Sequence, residues 1–123
     1  MAGKGWLAHT LAELLEQLGE LRREETKNAL YGLRFMAEKR PVEVVKFLGC
    51  FVQLMKDNKV TNVEGNRILL ARCESAAKPL LNELSAEMNR TATYMRNLAV
   101  GSPNKTMAFF SALLEELKKE AGL

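Results

Sequence analysis

The sequence predicts an all-α protein, folded as a compact antiparallel bundle of five or six helices with a central apolar helix at about residues 41–57. The composition favours helix, because Leu, Ala, Glu, Lys and Met are common, β-branched residues are sparse, and only 3 prolines occur in 123 residues. Apolar residues also recur at steps of three and four along most of the chain, which is the period of a helix with one buried face. Short connections between such helices favour antiparallel neighbours.

The size and composition of the chain are typical of a single globular domain. With 47% hydrophobic and 27% charged residues, the chain can bury a core without disulfides or metals. We expect residues 1–5 to form a flexible N-terminus and residues 6–123 to form one helical domain. The sequence has no secretory signal and no apolar run of about 18 residues. We therefore expect a cytoplasmic protein without a membrane segment, in the host cytoplasm if a virus or phage encodes it.

The first predicted helix begins at Trp6 and carries a leucine seam with the spacing of a coiled coil. Gly19 interrupts this pattern, and a turn at 19–21 would separate the first helix from a second one at about 22–39. A single long helix over 6–39 is the alternative. The leucines of the seam are Leu7, Leu11, Leu14, Leu18 and Leu21.

The third predicted helix is the most apolar part of the chain. Pro41 ends the preceding helix, because the residue before a proline is disfavoured in the α region, and Pro41 itself suits the first turn of the next helix. The helix that follows is apolar on nearly all sides, so we expect other helices to surround it. The residues predicted at its centre are Val44, Leu48, Phe51, Val52 and Met55.

Three further boundaries are predicted in the second half of the chain. Thr61 and Glu64 have the spacing of a capping box and would open the fourth helix. Pro79 would end that helix and begin the fifth, which continues to about Ala99. The Gly-Ser-Pro sequence at 101–103 supplies a helix stop, an N-cap and a first-turn proline for the sixth helix. The predicted seam of the fifth helix is Leu81, Leu84, Met88, Thr91, Met95 and Leu98.

Catalytic and metal-binding patterns are absent from the sequence. His9 is the only histidine, and neither a phosphate-binding glycine loop nor a cluster of metal ligands occurs. Cys50 and Cys73 fall inside apolar helices, where a thiolate is not stabilised, so a Cys–His nucleophile pair is not favoured. We therefore expect two reduced, structural thiols and a protein that is not an enzyme, with no cofactor, no metal and no small-molecule substrate.

The first of two predicted functions is a protein-interaction or regulatory module, of adaptor type, that acts through a helical face and can self-associate as a homodimer. One central helix can be covered by about four neighbours, so five flanking helices leave some apolar surface for an interface. The first helix is the favoured interface, since its tryptophan could serve as a hot spot. The candidate interface residues are Trp6, Leu7, Leu11, Leu14 and Leu18.

The alternative function is a small basic nucleic-acid-binding or nucleoprotein subunit. The net charge is +3, and no acidic residue occurs between Met88 and Leu114. Cations and amides can contact phosphates, and an aromatic ring can stack on a base. The candidate contacts in this segment are Arg90, Tyr94, Arg96, Asn97 and Lys105. A lesser candidate lies on the fourth helix, at Asn66, Arg67 and Arg72, where it would act like a recognition helix.

Overall fold

The computed structural model describes residues 23–61 and 65–123, and this part of the chain is a bundle of five helices without strands. The predicted all-α bundle is therefore confirmed. Several predictions fall outside the described residues. These are the first predicted helix with its leucine seam, the choice between one or two helices over 6–39, and Glu64 of the capping box. The five helices are α1 (Arg23–Lys39), α2 (Pro41–Lys56), α3 (Gly65–Arg72), α4 (Glu74–Gly101) and α5 (Pro103–Ala121).

The core is built around α2 and the long helix α4. All five residues predicted at the centre of α2 are buried, and this helix contacts α1, α4 and α5. The Phe51 ring meets the Phe110 ring of α5 edge-on, with 5.7 Å between ring centroids. Helix α4 contacts each of the other four helices. None of the described helices is sufficiently long and apolar to cross a membrane.

Two of the predicted helix boundaries are confirmed. Arg40 leaves the helical region, with φ −139° and ψ 69°, and Pro41 begins α2. At the other junction Ser102 has φ −146° and ψ 71° and Pro103 begins α5. The buried Thr106 hydroxyl donates a 2.9 Å hydrogen bond to the carbonyl oxygen of Leu98, which ties α5 to the last turn of α4.

The predicted boundary at Pro79 is wrong. The chain leaves the helical region at Cys73, with φ −103° and ψ 28°, and Pro79 lies inside α4. A proline there deprives the Ser75 carbonyl of its donor, but Ser75 is exposed to water. The buried stripe of Ala76, Ala77 and Leu80 passes through this region, and its burial favours a continuing helix. The bend comes later, at Leu84, where φ is −134° and ψ is 44°.

The prediction of two reduced thiols is also wrong, because Cys50 and Cys73 form a disulfide. Cys50 lies on α2, and Cys73 is buried at the junction of α3 and α4, with 5.9 Å between the two Cα atoms. The residues are 23 positions apart in the sequence. Their approach depends on how α2 and the α3–α4 junction pack, which local sequence patterns do not report.

Helices α1 and α4 approach each other closely at Gly32. A methyl group added at Gly32 would overlap the Thr91 hydroxyl and lie 3.1 Å from Thr91 Cβ. Thr91 is itself buried. The backbone of α1 at Gly32 therefore contacts the Thr91 side chain of α4, and only glycine leaves room for this contact.

We expect the change Gly32→Ala to lower the free energy of unfolding by about 1–3 kcal/mol, because overpacking forces the helices apart. The matched control is Gly49→Ala on α2, where the new methyl group would meet Leu114 Cδ2 at 4.0 Å, an ordinary contact. That change is expected to raise stability by about 0.5–1 kcal/mol, because alanine favours helix over glycine. Urea unfolding of both variants checks the prediction, and equal shifts of the two midpoints would contradict it.

Candidate functional site

The most prominent apolar surface in the described part of the chain lies on α1. Tyr31 is 48% exposed and Phe35 is 42% exposed, and the two lie one turn apart. The other large exposed apolar residues, Val42, Ile68 and Leu123, belong to other parts of the chain. Two exposed aromatic rings on one helical face form a patch, whereas single exposed apolar residues are ordinary on protein surfaces.

These rings belong to a longer stripe along the outer face of α1. Lys27, Tyr31, Phe35 and Lys39 follow one another at intervals of four residues, which places them on one side of the helix. We call these four residues the α1 stripe. The opposite face of α1 is anchored in the core by Ala29, Leu30, Leu33 and Met36, all of which are buried. The core packing therefore holds the stripe toward the surface.

A groove separates the α1 stripe from α4. Its volume is about 460 Å³, and Gly32 and Thr91, where the helices approach closely, line it. The wider part of the groove is lined from α1 by Asn28, Tyr31 and Phe35 and from α4 by Glu87, Arg90 and Tyr94. We call this feature the α1–α4 groove. It combines aromatic rings with one guanidinium and one amide.

The carboxylate that lines the groove is already paired, and so is an exposed carboxylate elsewhere on α1. Arg90 forms an ion pair with Glu87 one turn earlier on α4. Arg34 Nε lies 3.3 Å from Glu38 Oε1 on α1. These are exposed pairs, so each contributes little to stability, but they cancel local charge.

The lysines at the two ends of the α1 stripe have different surroundings. Lys39 Nζ lies 4.9 Å from the centroid of the Phe35 ring, a cation–π distance. No carboxylate among the described residues lies within ion-pair distance of Lys27 or Lys39. The stripe therefore carries positive charge at both ends of an aromatic centre.

The structure divides the predicted nucleic-acid contacts between separate surfaces. Arg90 and Tyr94 line the α1–α4 groove. Arg96 lies elsewhere on α4, and its Nε donates a 3.1 Å hydrogen bond to Asn66 Oδ1 of α3. Asn97 is half-buried on α4, and Lys105 is exposed in the first turn of α5.

The lesser candidate on the fourth predicted helix is placed on α3. Asn66 Nδ2 donates a 3.0 Å hydrogen bond to the Asn89 carbonyl oxygen, and together with its bond from Arg96 this holds α3 against α4. Arg67 and Arg72 are exposed, and Arg72 Nη1 donates a 3.4 Å hydrogen bond to the Lys59 carbonyl oxygen. The predicted protein interface at Trp6, Leu7, Leu11, Leu14 and Leu18 falls outside the residues that the structure describes.

Two features that can support catalysis, metal-ligand clusters and free thiols, are absent from the described residues. Within 23–61 and 65–123, no group of three or more histidine, cysteine, aspartate or glutamate side chains could hold a metal ion. Both cysteines are engaged in the disulfide, so neither sulfur is available as a nucleophile in this state.

Tyr31 and Phe35 are not among the site residues that the sequence predicts. A signal was present, since two aromatic residues four apart stand among polar residues on the side of the helix opposite Ala29, Leu30, Leu33 and Met36. No family model, curated protein or solved structure matches this chain. The class that the fold and the groove define is a small helical bundle with an aromatic surface groove.

Proposed function

We propose that this protein is a non-enzymatic protein-interaction module, of regulatory or adaptor type, that binds a partner protein through the α1–α4 groove. The observation that carries the proposal is the exposure of Tyr31 and Phe35 one turn apart, beside Arg90. Tyrosine and arginine are enriched among the residues that dominate binding energy at protein interfaces. Exposed apolar patches on soluble proteins commonly mark such interfaces.

The paired carboxylates favour a protein over a nucleic acid as the partner. Glu87 neutralises Arg90 in the groove, and Glu38 neutralises Arg34 elsewhere on α1, so these residues do not form the continuous cationic surface that a phosphate backbone requires. In addition, Lys39 covers one face of the Phe35 ring, which hinders stacking of a base on that face. A protein side chain can instead pack against the ring surface that Lys39 leaves exposed.

We also propose that the leucine seam of the first predicted helix, which begins at Trp6, is a second interface through which the protein self-associates. Binding of this kind requires no cofactor. The cytoplasmic location is likewise a proposal. The Cys50–Cys73 disulfide is an observation against this location, because cytosolic thiols are normally kept reduced.

A photo-reactive benzoylphenylalanine placed at position 31 tests the groove directly. In an extract of the source cells, we expect it to form a covalent adduct with a protein, whereas the same group at position 68 should not. Ile68 is the matched control, because it is a similarly exposed apolar residue on α3. Adding Phe35→Ala to the position-31 protein should reduce the adduct on the order of tenfold. Equal labelling from the two positions would contradict the proposal.

Nucleic-acid binding is the second candidate function, supported by the absence of acidic residues from Met88 to Leu114. Its signature would be an affinity for RNA or DNA that falls steeply with salt, with a slope that flattens in Arg90→Ala and Arg96→Ala. Because these two arginines lie on different surfaces, equal flattening by both would require a partner that wraps around α4.

A further inference from the structure

We infer that the element which occupies the α1 stripe is an acidic amphipathic helix of a partner protein, with two apolar residues four apart and a carboxylate four residues beyond each. This inference rests on the proposed function and specifies the partner's chemistry. It follows from the order of the side chains along the stripe, which runs Lys27, Tyr31, Phe35, Lys39.

The spacing of the stripe fits a helix as its partner. From Lys27 to Lys39 the stripe extends over about 18 Å, or about three turns. A helix that packs alongside α1 presents side chains at the same intervals of four, because such rows of residues interlock between neighbouring helices. Recognition of an amphipathic helix in a groove between two helices is a recurrent mode of peptide binding.

The apolar centre of the stripe is open to such a helix. Tyr31 and Phe35 each retain nearly half of their surface, while Tyr94 forms the far side of the groove on α4. Two leucine-sized side chains four residues apart would cover the two exposed rings. The α1–α4 groove beside the rings can take up part of these side chains.

The charges at the ends of the stripe specify acidic flanks. Lys27 and Lys39 have no carboxylate partner among the described residues, and the carboxylates of Glu38 and Glu87 are engaged by Arg34 and Arg90. Glutamates on the partner would therefore meet two lysines that have no carboxylate partner of their own. Since the stripe has a lysine at each end, the partner helix can lie in either direction.

The test uses two synthetic, fluorescently labelled peptides on the full-length protein. The acidic peptide is an alanine-rich helix with the pattern Glu-x-x-x-Leu-x-x-x-Leu-x-x-x-Glu, and the basic peptide has lysine in place of both glutamates. We expect the wild type to bind the acidic peptide at least about tenfold more tightly than the basic one, measured by fluorescence anisotropy at low salt. The double change Tyr31→Ala with Phe35→Ala should abolish binding of both peptides.

The decisive variant reverses the charge of the stripe. Lys27→Glu with Lys39→Glu should invert the preference, so that the basic peptide binds more tightly. The matched control, Lys46→Glu with Lys56→Glu, makes the same change in net charge at two exposed positions on α2 and should leave the preference unchanged. If the charge reversal disturbs folding, Lys27→Gln with Lys39→Gln should abolish the preference without inverting it.

Several results would overturn the inference. Equal affinity for the two peptides, or an acidic preference that survives the changes at Lys27 and Lys39, would show that the stripe does not select acidic flanks. A dimer that is lost in the charge-reversed variant would assign the stripe to a second copy of the chain. Tighter binding of single-stranded RNA than of the acidic peptide, lost in the same variant, would assign it to nucleic acid. If position 31 still captures a protein while no peptide preference exists, the proposed function stands and only the acidic helix is wrong.

Discussion

Replacing Leu48 with alanine is expected to lower the free energy of unfolding by about 2–5 kcal/mol. Leu48 lies in the middle of α2 and has no exposed surface. The change removes buried apolar surface and leaves a cavity where α2 meets its neighbouring helices. Because the helices of a small bundle share one core, the loss should appear as a lower urea midpoint for the whole protein.

The matched control for this prediction is Val42→Ala on the same helix. Val42 is 38% exposed, so we expect its truncation to change stability by about 0.5 kcal/mol or less. If Leu48→Ala left the urea midpoint as unaffected as Val42→Ala does, α2 would not be the buried helix that both the sequence and the structure indicate.

Reducing the Cys50–Cys73 disulfide is expected to lower the free energy of unfolding by about 2–4 kcal/mol. The bond closes a loop between residues 23 positions apart, and cutting it returns conformational entropy to the unfolded chain. The measurement is urea unfolding with and without a dithiol reductant. The native helices should persist after reduction, since most of the residues that form the core with Leu48 and Phe51 are not cysteines and stay buried together.

The control for the disulfide is the double variant Cys50→Ala with Cys73→Ala, whose urea midpoint should not respond to the reductant. Titration of thiols in the unreduced wild-type protein supplies an independent readout. Two reactive thiols after denaturation without reductant, together with an unchanged midpoint, would contradict the structure. Such a result would support the reduced cysteines that the sequence predicts.

Only part of the candidate site could be predicted from sequence patterns. The sequence predicts Arg90 and Tyr94 as neighbours because they lie four apart in an acid-free segment, and both line the α1–α4 groove. Arg96 is predicted as a contact because it lies in the same acid-free segment, yet its side chain donates a hydrogen bond to Asn66 on α3. Composition along the chain does not distinguish these surfaces, because the direction of each side chain depends on which helix packs beside it.

The groove itself could not be predicted from the sequence. Its α1 side carries Tyr31 and Phe35, and its α4 side carries Arg90 and Tyr94, about sixty residues later in the chain. The two sides meet because Gly32 lets α1 approach Thr91. A contact between residues so distant in sequence has no local signature, and a glycine inside a helix does not indicate which residue packs against it.

The sequence by itself determined the helical class, the buried face of α1, the core of α2 and the boundaries at Pro41 and 101–103. These features follow from the period of apolar residues and from the restricted backbone of proline, which act over a few residues. Only the tertiary structure decided that α4 continues through Pro79, that Cys50 meets Cys73, and that the α1 stripe borders a groove. Each of these outcomes depends on which helical faces are buried together, and that choice is made by the packing of the whole bundle.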